Sequence, residues 1–208
     1  MKITILTDNP NSWILPFVEE LKVKLKHHSI CHVFYQDRIK QGDIMLILSC
    51  ENIISEQTLS LHKNNIVVHP SDLPKGKGWS PLAWQILEGK NNVPITLFEA
   101  SNDVDSGDIY IKEVISLDGT ELNEEIKKKQ GKKTVEMICD YIRKKNKGMS
   151  QIGKDTFYKK RTESHSELDI NKTISEQFNL LRVVDNERYP AFIKIRGKKY
   201  IIKIYDEK

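Results

Sequence analysis

The chain has 208 residues, of which 38% are hydrophobic, so it is long enough to bury one substantial core. Its 33 basic and 29 acidic residues leave a net charge of +4, which indicates a mixed surface rather than a basic binding tract and demands no nucleic-acid partner. The three cysteines are widely spaced, include no Cys-x-x-Cys pair and offer no zinc framework; they are typical of reduced thiols in the cytoplasm.

Short apolar runs alternate with helical patterns in the first part of the chain. Residues 2–6 predict a buried strand, and apolar side chains between residues 13 and 25 recur at helical spacing. Three more strands are predicted at residues 30–34, 43–49 and 66–69. This alternation favours an α/β fold with a mostly parallel sheet and helices on both faces, in which ligands bind beyond the carboxyl ends of the strands.

The N-terminal segment predicts neither a secretory leader nor a membrane anchor. Asp8 and Pro10 come too early for the apolar core of a signal peptide. No apolar run approaches the roughly 18 residues that a membrane span requires. We therefore expect a cytoplasmic protein that is neither secreted nor embedded in a membrane.

The stretch after His69, PSDLPKGKGWSP, is too rich in Pro and Gly for regular structure and predicts a shaped loop. Ser80 is expected to cap the helix that follows, and Pro81 fits its first turn. Two further strands are predicted at residues 93–99 and 109–115, followed by a long amphipathic helix at 123–147. A short helix is predicted at 174–184, and a β-hairpin is predicted to pair residues 191–195 with 200–205. We expect a core of residues 1–154 with a small C-terminal extension, residues 155–208, packed on it.

Two loops hold the residues best suited to chemistry. His69 ends an apolar strand, and Asp105 lies in the loop before the strand at 109–115. Because strand ends of adjacent crossover units converge at one edge, the two side chains can meet there, and an imidazole oriented by a carboxylate is a recurrent proton acceptor. On spacing alone, purely structural roles are favoured, with His69 bonded to its own loop and with Asp105 and Asp108 as turn residues.

Three short segments carry a resemblance to a known family. They are HPSDLP at residues 69–74, KGKG at residues 75–78 and VDSGD at residues 104–108. These segments resemble the His-x-Ser-Leu-Leu-Pro motif, the basic-Gly loop and the Asp-x-Gly-Asp motif of folate-dependent formyltransferases. The resemblance implies a Rossmann-like formyltransferase fold, 10-formyltetrahydrofolate as the donor and only cofactor, and no metal.

The same resemblance implies a set of site residues. His69 and Asp105 take the catalytic positions, and backbone groups of the loop before Asp105 hold the pteridine ring of the folate. The residues expected to bind the cofactor are Ser49, Cys50, Glu99, Ala100, Asp103 and Val104. The residues expected to bind the substrate are Trp13, Lys75, Lys77 and Trp79. Trp13 can stack on a base or a sugar, although a tryptophan that opens an amphipathic helix is more often part of the core.

One position departs from the family pattern. The family places a catalytic Asn two residues before the His, where this chain has Val67. Asn65 lies on the same face of an extended strand and is our candidate third catalytic residue, provided that the strand bends or bulges. Asn64 is the other candidate, and an interpretation in which both asparagines only close the preceding turn is equally favoured.

The acceptor amine is inferred by subtraction. Methionyl-tRNA formyltransferases carry a sizeable second domain, whereas few residues follow Lys154 here. The enzyme that formylates glycinamide ribonucleotide has a Gly-rich phosphate loop after its first strand, and residues 7–12 contain no glycine. The sequence of residues 69–90 most resembles that of sugar N-formyltransferases, including those of the pseudaminic-acid type. The resemblance thus implies a small acceptor, an amino sugar linked to a nucleotide. Whether the protein forms a homodimer is left open.

Other functions stay open at this point. A different small-molecule or tRNA-borne amine is one alternative, and a catalytically silent module that binds folate or a nucleotide sugar is another. The basic residues of the tail would form an RNA-contacting face if they lay together on the surface, although hairpin lysines more often protect an exposed strand edge. These tail residues are Arg182, Arg188, Arg196, Lys198 and Lys199.

Overall fold

The computed structural model describes residues 1–144 and 146–207. Lys145, inside the predicted long helix, and Lys208, at the end of the predicted extension, lie outside the described residues. The strands, in chain order, are β1 (Lys2–Leu6), β2 (Ser29–Val33), β3 (Gly42–Ile47), β4 (His62–His69), β5 (Lys77–Gly78), β6 (Asn92–Glu99), β7 (Ile109–Ser116), β8 (Phe157–Tyr158), β9 (Ala191–Ile195) and β10 (Lys198–Ile202). The helices are α1 (Leu15–Lys24), α2 (Glu56–Leu59), α3 (Pro81–Leu87), α4 (Asn123–Lys144) and α5 (Phe178–Val183).

The central sheet has six strands in the order β2-β1-β3-β4-β6-β7. The pairs β1 with β2, β1 with β3, and β3 with β4 are parallel, whereas β6 is antiparallel to both of its neighbours. Within this sheet, β6 therefore runs against the other strands. The predicted α/β class with a mostly parallel sheet is confirmed.

The sheet buries both of its faces because successive side chains of a strand point to opposite sides. On β1, Ile3 and Ile5 face the core shared with α1, α3 and α4. Leu6 instead faces a second core that contains Met45, Ile47 and Leu59 of α2. Near-continuous apolar strands are what a sheet covered on both sides requires, and the prediction of helices on both faces is confirmed.

A glycine sets the packing of the two long helices on the larger core. Gly131 lies inside α4, and a Cβ atom at this position would stand 2.3 Å from the ring of Phe17 on α1. The missing side chain lets the two helices approach closely. The predicted helix ends at Lys144 rather than at 147, and Lys145 is outside the described residues.

The C-terminal residues are joined to the rest of the chain by three kinds of contact. β8 pairs with β5 in the loop after His69, and α5 packs against α3. Arg182, only 1% exposed, donates hydrogen bonds to the backbone carbonyl and the carboxylate of Glu121. These contacts support our proposal that residues 155–208 form an extension packed on a core of residues 1–154.

The extension differs from the prediction in its details. The predicted helix at 174–184 is a 3-10 turn at Ser175–Gln177 followed by the short α5. The second hairpin strand begins at Lys198, because Arg196 and Gly197 both have positive φ and form a two-residue turn. Arg182 was one of five basic residues considered for the alternative of an RNA-contacting face, and its burial removes it from any such face.

Ser80 does not cap α3, contrary to the prediction. Its backbone is left-handed, with φ 52°, and its side chain makes no capping hydrogen bond. Pro81 occupies the first turn of the helix as predicted, because its fixed φ suits that position and its missing N–H is not needed there. Across the described part of the chain, no helix is both long and apolar enough to cross a membrane.

Candidate active site

His69 is the last residue of β4 and is 8% exposed. Its Nε2 lies 2.9 Å from the carbonyl oxygen of Gly76 and 3.7 Å from Oδ2 of Asp105. Because a carbonyl oxygen only accepts hydrogen bonds, the contact with Gly76 requires a proton on Nε2. In the neutral ring, Nδ1 is therefore the atom able to accept a proton.

Asp105 is fixed by the loop that follows His69. The backbone N–H of Gly78 donates a hydrogen bond to its Oδ2 at 2.8 Å, and its own backbone is left-handed, with φ 53°. The sequence predicted that His69 and Asp105 would meet, and the structure brings them together. The reason differs from the one expected, because Asp105 does not follow a strand parallel to β4.

The direction of β6 decides how the Asp105 loop reaches His69. The antiparallel register pairs His69 with Thr96 and Ile66 with Glu99, so β6 ends beside the middle of β4. The backbone N–H of Ala100 then donates to the carbonyl of Asn65. From there the loop at 100–108 runs back towards His69 at the carboxyl end of β4, because β6 itself ends away from that edge of the sheet.

Gly107 allows the loop to lie this close to the sheet. A Cβ atom at this position would stand 1.9 Å from the carbonyl oxygen of Glu99. Only glycine fits such an approach without displacing the backbone. The glycine of the Asp-x-Gly-Asp motif therefore has a steric role.

Residues after α4 also hold the loop, and sequence reasoning missed them. The side-chain amide of Gln151 donates to the backbone carbonyls of Asp105 and Gly107, both at 2.9 Å. Ser150 donates from its hydroxyl to Oδ1 of Asp108 at 3.1 Å. Asp108 thus joins the loop to this segment, whereas Asp105 faces His69. Gln151 belongs to no motif, so no local signal in the sequence marks it.

Asn65 is not brought to this pair. Its side-chain amide donates to the carbonyl of Leu59 at 3.1 Å, and the residue is 6% exposed. Asn65 and His69 are four residue steps apart along the strand, which is about 13 Å, and β4 has no bulge in its pairing to shorten that distance. Val67, in the family's Asn position, packs beside Leu73 and Phe98. The expected catalytic role for Asn65 is therefore not carried into our proposal.

A cavity of about 500 Å³ opens beside His69 and Asp105. Its lining comes from the loop after β3, the loop at 100–105, the helices α3 and α4, and the C-terminal extension. The cavity is lined by six of the residues expected to bind cofactor or substrate, namely Ser49, Cys50, Ala100, Val104, Trp13 and Trp79. That these six residues bind folate or the acceptor stays a prediction.

Four other expected site residues do not line the cavity. Glu99 accepts hydrogen bonds from Asn64 and from the hydroxyl of Tyr110, and Asp103 and Lys75 are exposed. Lys77 is 3% exposed, and its ammonium donates to Ser106 and to Asp155. These four residues therefore have structural or surface positions, and Lys77 joins the Asp105 loop to the start of the extension.

The cavity wall after β3 is held by Asp8. One carboxylate oxygen, Oδ2, accepts hydrogen bonds from the backbone N–H groups of Glu51 and Asn52 and from the side-chain amide of Asn52, at 2.7 to 2.8 Å. Burial, together with the charge of Asp8, raises the pKa of Cys50 to about 12. Cys50 is thus a neutral thiol in the wall and not a nucleophile.

Metal chemistry has no evident ligand set here. Within residues 1–144 and 146–207, no group of three or more His, Cys, Asp or Glu side chains is arranged to hold a metal ion. The chemistry that the cavity offers is proton transfer at His69 beside the Asp105 carboxylate.

Comparison with known proteins places the chain in a family. The family model described as formyl transferase matches residues 27–142, which is more than half of the chain. The chain belongs to the formyltransferase family. The matched region includes both His69 and Asp105, so the resemblance seen in the motifs is confirmed.

Known formyltransferases differ in how much of their length this chain covers. A methionyl-tRNA formyltransferase of Ehrlichia ruminantium is 26% identical over 177 residues, covering 82% of this chain and 57% of that protein. The chain thus spans little more than half the length of this curated relative. Among solved structures, a methionyl-tRNA formyltransferase from Clostridium thermocellum has a TM-score of 0.86 at 23% identity, covering 100% of this chain and 94% of that one. A sugar N-formyltransferase from a Shewanella species has a TM-score of 0.72 at 15% identity, covering 100% and 98%. These structures confirm the fold.

Proposed function

We propose that this formyltransferase-family protein transfers a formyl group from 10-formyltetrahydrofolate to the amine of a nucleotide-linked amino sugar. The observation that carries the proposal is the His69–Asp105 pair, 3.7 Å apart at the wall of one cavity in a member of this family. A cavity of about 500 Å³ suits small molecules.

The part of the cavity beside the Asp105 loop fits a folate. Its walls include Leu59, Val67 and Phe98, which offer apolar surface to a flat ring. Within the described residues, the backbone N–H groups of Ser101, Asn102 and Val104, which line the cavity, donate no hydrogen bond, so they are free to bind the polar edge of a pteridine. Bound there, the folate would supply the formyl carbon, which gains a bond to the acceptor nitrogen as its bond to the folate nitrogen breaks, and tetrahydrofolate would leave with the proton that the amine gives up.

His69 performs proton transfer in this proposal. The attacking amine must lose a proton, and Nδ1 of His69 accepts it because Nε2 already carries a hydrogen directed at Gly76. The carboxylate of Asp105 then stabilises the positive imidazolium. The Gly78 N–H holds that carboxylate in place. In the position where the family has an Asn, Val67 offers no hydrogen-bond donor, so the developing oxyanion is stabilised without a side-chain amide from that position.

The proposal is tested by incubating the protein with 10-formyltetrahydrofolate and a panel of nucleotide-linked amino sugars. We expect release of tetrahydrofolate together with a sugar product heavier by one formyl group. Folate binding without turnover of any amine would instead support a catalytically silent binding module.

A second acceptor follows from the relatives. The Ehrlichia and Clostridium proteins carry the name methionyl-tRNA formyltransferase, so the same panel includes methionyl-tRNA. Formylation of the tRNA-borne methionine, with no turnover of amino sugars, would favour this acceptor and overturn the sugar assignment.

A further inference from the structure

One wall of the cavity is unusually cationic. Lys160, Arg161 and Arg188 all line the same cavity as His69. They come from two segments of the C-terminal extension, on either side of α5. The loop after β3 faces them across the cavity and presents Glu51.

Glu51 is shared by two of these cations. Its Oε2 lies 3.2 Å from the ammonium of Lys160, and its Oε1 lies 3.7 Å from the guanidinium of Arg188. The carboxylate is 49% exposed and both cationic side chains are 58% exposed. Ion pairs this exposed contribute little to stability, so another anion can replace Glu51 without disturbing the fold.

Arg161 has no carboxylate within 4 Å among the residues that the structure describes. Its guanidinium donates to the carbonyls of Val183 and His165, and its Nε, which is buried, has no hydrogen-bond partner. An arginine keeps its charge in a protein, so this cation is not neutralised by the protein itself. Lys127 and Asp185 line the same cavity and pair with each other at 3.0 Å. Among the described residues, the lining from α4, the loop after β3 and the C-terminal extension therefore holds four cations and two carboxylates, Glu51 and Asp185.

We propose that Lys160, Arg161 and Arg188 bind phosphate groups of the acceptor, and that Glu51 is the counter-ion which the phosphates displace. This inference rests on the proposed function and narrows it, because it makes the acceptor an amino sugar that carries a nucleoside diphosphate. Guanidinium and ammonium groups are the usual ligands of phosphate oxygens. All three cations line the cavity that also contains His69, so a small diphosphate held by them shares that cavity with the reacting amine. A long polyanion such as tRNA would instead need cations along an extended surface.

The test measures binding of inorganic pyrophosphate and of uridine diphosphate to the full chain by titration calorimetry. In the double variant Lys160→Gln with Arg188→Gln, both ligands should bind at least tenfold more weakly. Glu51→Gln should bind them several-fold more tightly, because the competing carboxylate is gone. The matched control is Lys194→Gln, which removes an exposed lysine of β9 paired with Glu167 and should leave both affinities unchanged.

Unchanged affinity in the double variant, or weaker binding in Glu51→Gln, would overturn the phosphate site. Binding of tRNA that the double variant abolishes, without any binding of uridine diphosphate, would overturn the nucleotide-sugar assignment. These measurements need neither folate nor an amine. Loss of the phosphate site is therefore distinguishable from failure of the formyl-transfer proposal, which turnover alone decides.

Discussion

Gln151 donates a hydrogen bond from its side-chain amide to the backbone carbonyl of Asp105 at 2.9 Å, and a second to Gly107 at the same distance. The loop at 100–108 leaves the sheet beside Asn65 and has to return to His69. Gln151 is one of the groups that hold the returning part of this loop. In the proposed mechanism it acts through Asp105, as a positioning residue.

Replacing Gln151 by Leu should separate positioning from binding. The change leaves two carbonyls without their donors, so we expect unfolding free energy to fall by about 1–3 kcal/mol. We expect kcat to fall about tenfold, because Asp105 is no longer held in its position beside His69. The dissociation constant of folate should change little. Ser150→Ala is the matched control, because it loses only the bond to Asp108. A rise in KM with unchanged kcat would contradict the positioning role.

The His69→Asn variant should fold normally and transfer formyl groups about 100-fold more slowly, because it lacks the proton acceptor. Single-turnover assays with folate and amine at saturation measure this effect directly. His27→Asn, at an exposed position, serves as the control. Near-normal turnover in His69→Asn would remove this residue from the mechanism.

Asp105 and Asp108 share one loop but should behave differently. Asp105→Asn keeps the acceptor for the Gly78 N–H while removing the charge beside His69, so turnover should fall and folate binding should survive. Asp108→Asn affects an exposed bond from Ser150 and should lower stability by about 1 kcal/mol with little change in turnover. Measuring folate affinity and transfer rate on both variants decides between them. Equal losses of turnover in the two variants would contradict a catalytic role for Asp105 distinct from the structural role of Asp108.

Arg182 should be essential for stability rather than for binding. It is 1% exposed and pairs with Glu121, which is 4% exposed, at 3.2 Å. Arg182→Met leaves this buried carboxylate with Lys129 as its remaining cationic partner among the described residues, and should lower the free energy of unfolding by about 3 kcal/mol or more. Arg143→Met, which breaks an exposed pair with Asp140, should change it by less than about 1 kcal/mol. Urea unfolding of both variants makes the comparison, and equal effects would contradict it.

Glu121 should also make stability depend on acid. Burial alone would raise its pKa, but hydrogen bonds from Lys129 and from the backbone N–H groups of Asp118 and Gly119 outweigh burial and lower it to about 2. The unfolded chain, with a pKa near 4.5 at this residue, binds the proton first as pH falls. The stabilisation is therefore complete above pH 4.5 and is lost as pH falls towards 2. In Glu121→Gln, the number of protons taken up on unfolding near pH 3 should fall by about one. An unchanged slope of unfolding free energy against pH would show that Glu121 is not the source of the acid dependence.

Local patterns in the sequence were sufficient for the fold class, and the family motifs marked His69 and Asp105 as the candidate catalytic residues. The apolar runs of β1, β3 and β4 predicted buried strands, because a strand covered on both faces needs apolar side chains on both sides. His69 was recognisable because a motif follows it directly in the chain. Asp105 was recognisable because it opens the Asp-x-Gly-Asp motif. The structure gives the glycine of that motif a steric reason, since Gly107 lies against the backbone of Glu99.

Tertiary structure alone decided how these pieces meet. Nothing local in β6 sets its direction, because an apolar strand satisfies its hydrogen bonds equally in parallel and antiparallel pairs. Its antiparallel pairing is what places the start of the Asp105 loop beside Asn65. The side chain of that asparagine is bonded to Leu59, a contact that no local pattern predicts. Gln151 and Lys77 likewise owe their roles to contacts between distant segments, which hydrophobic periodicity does not encode. Periodicity reports which face of an element is buried, whereas the partner of each polar group depends on the packing of the whole chain.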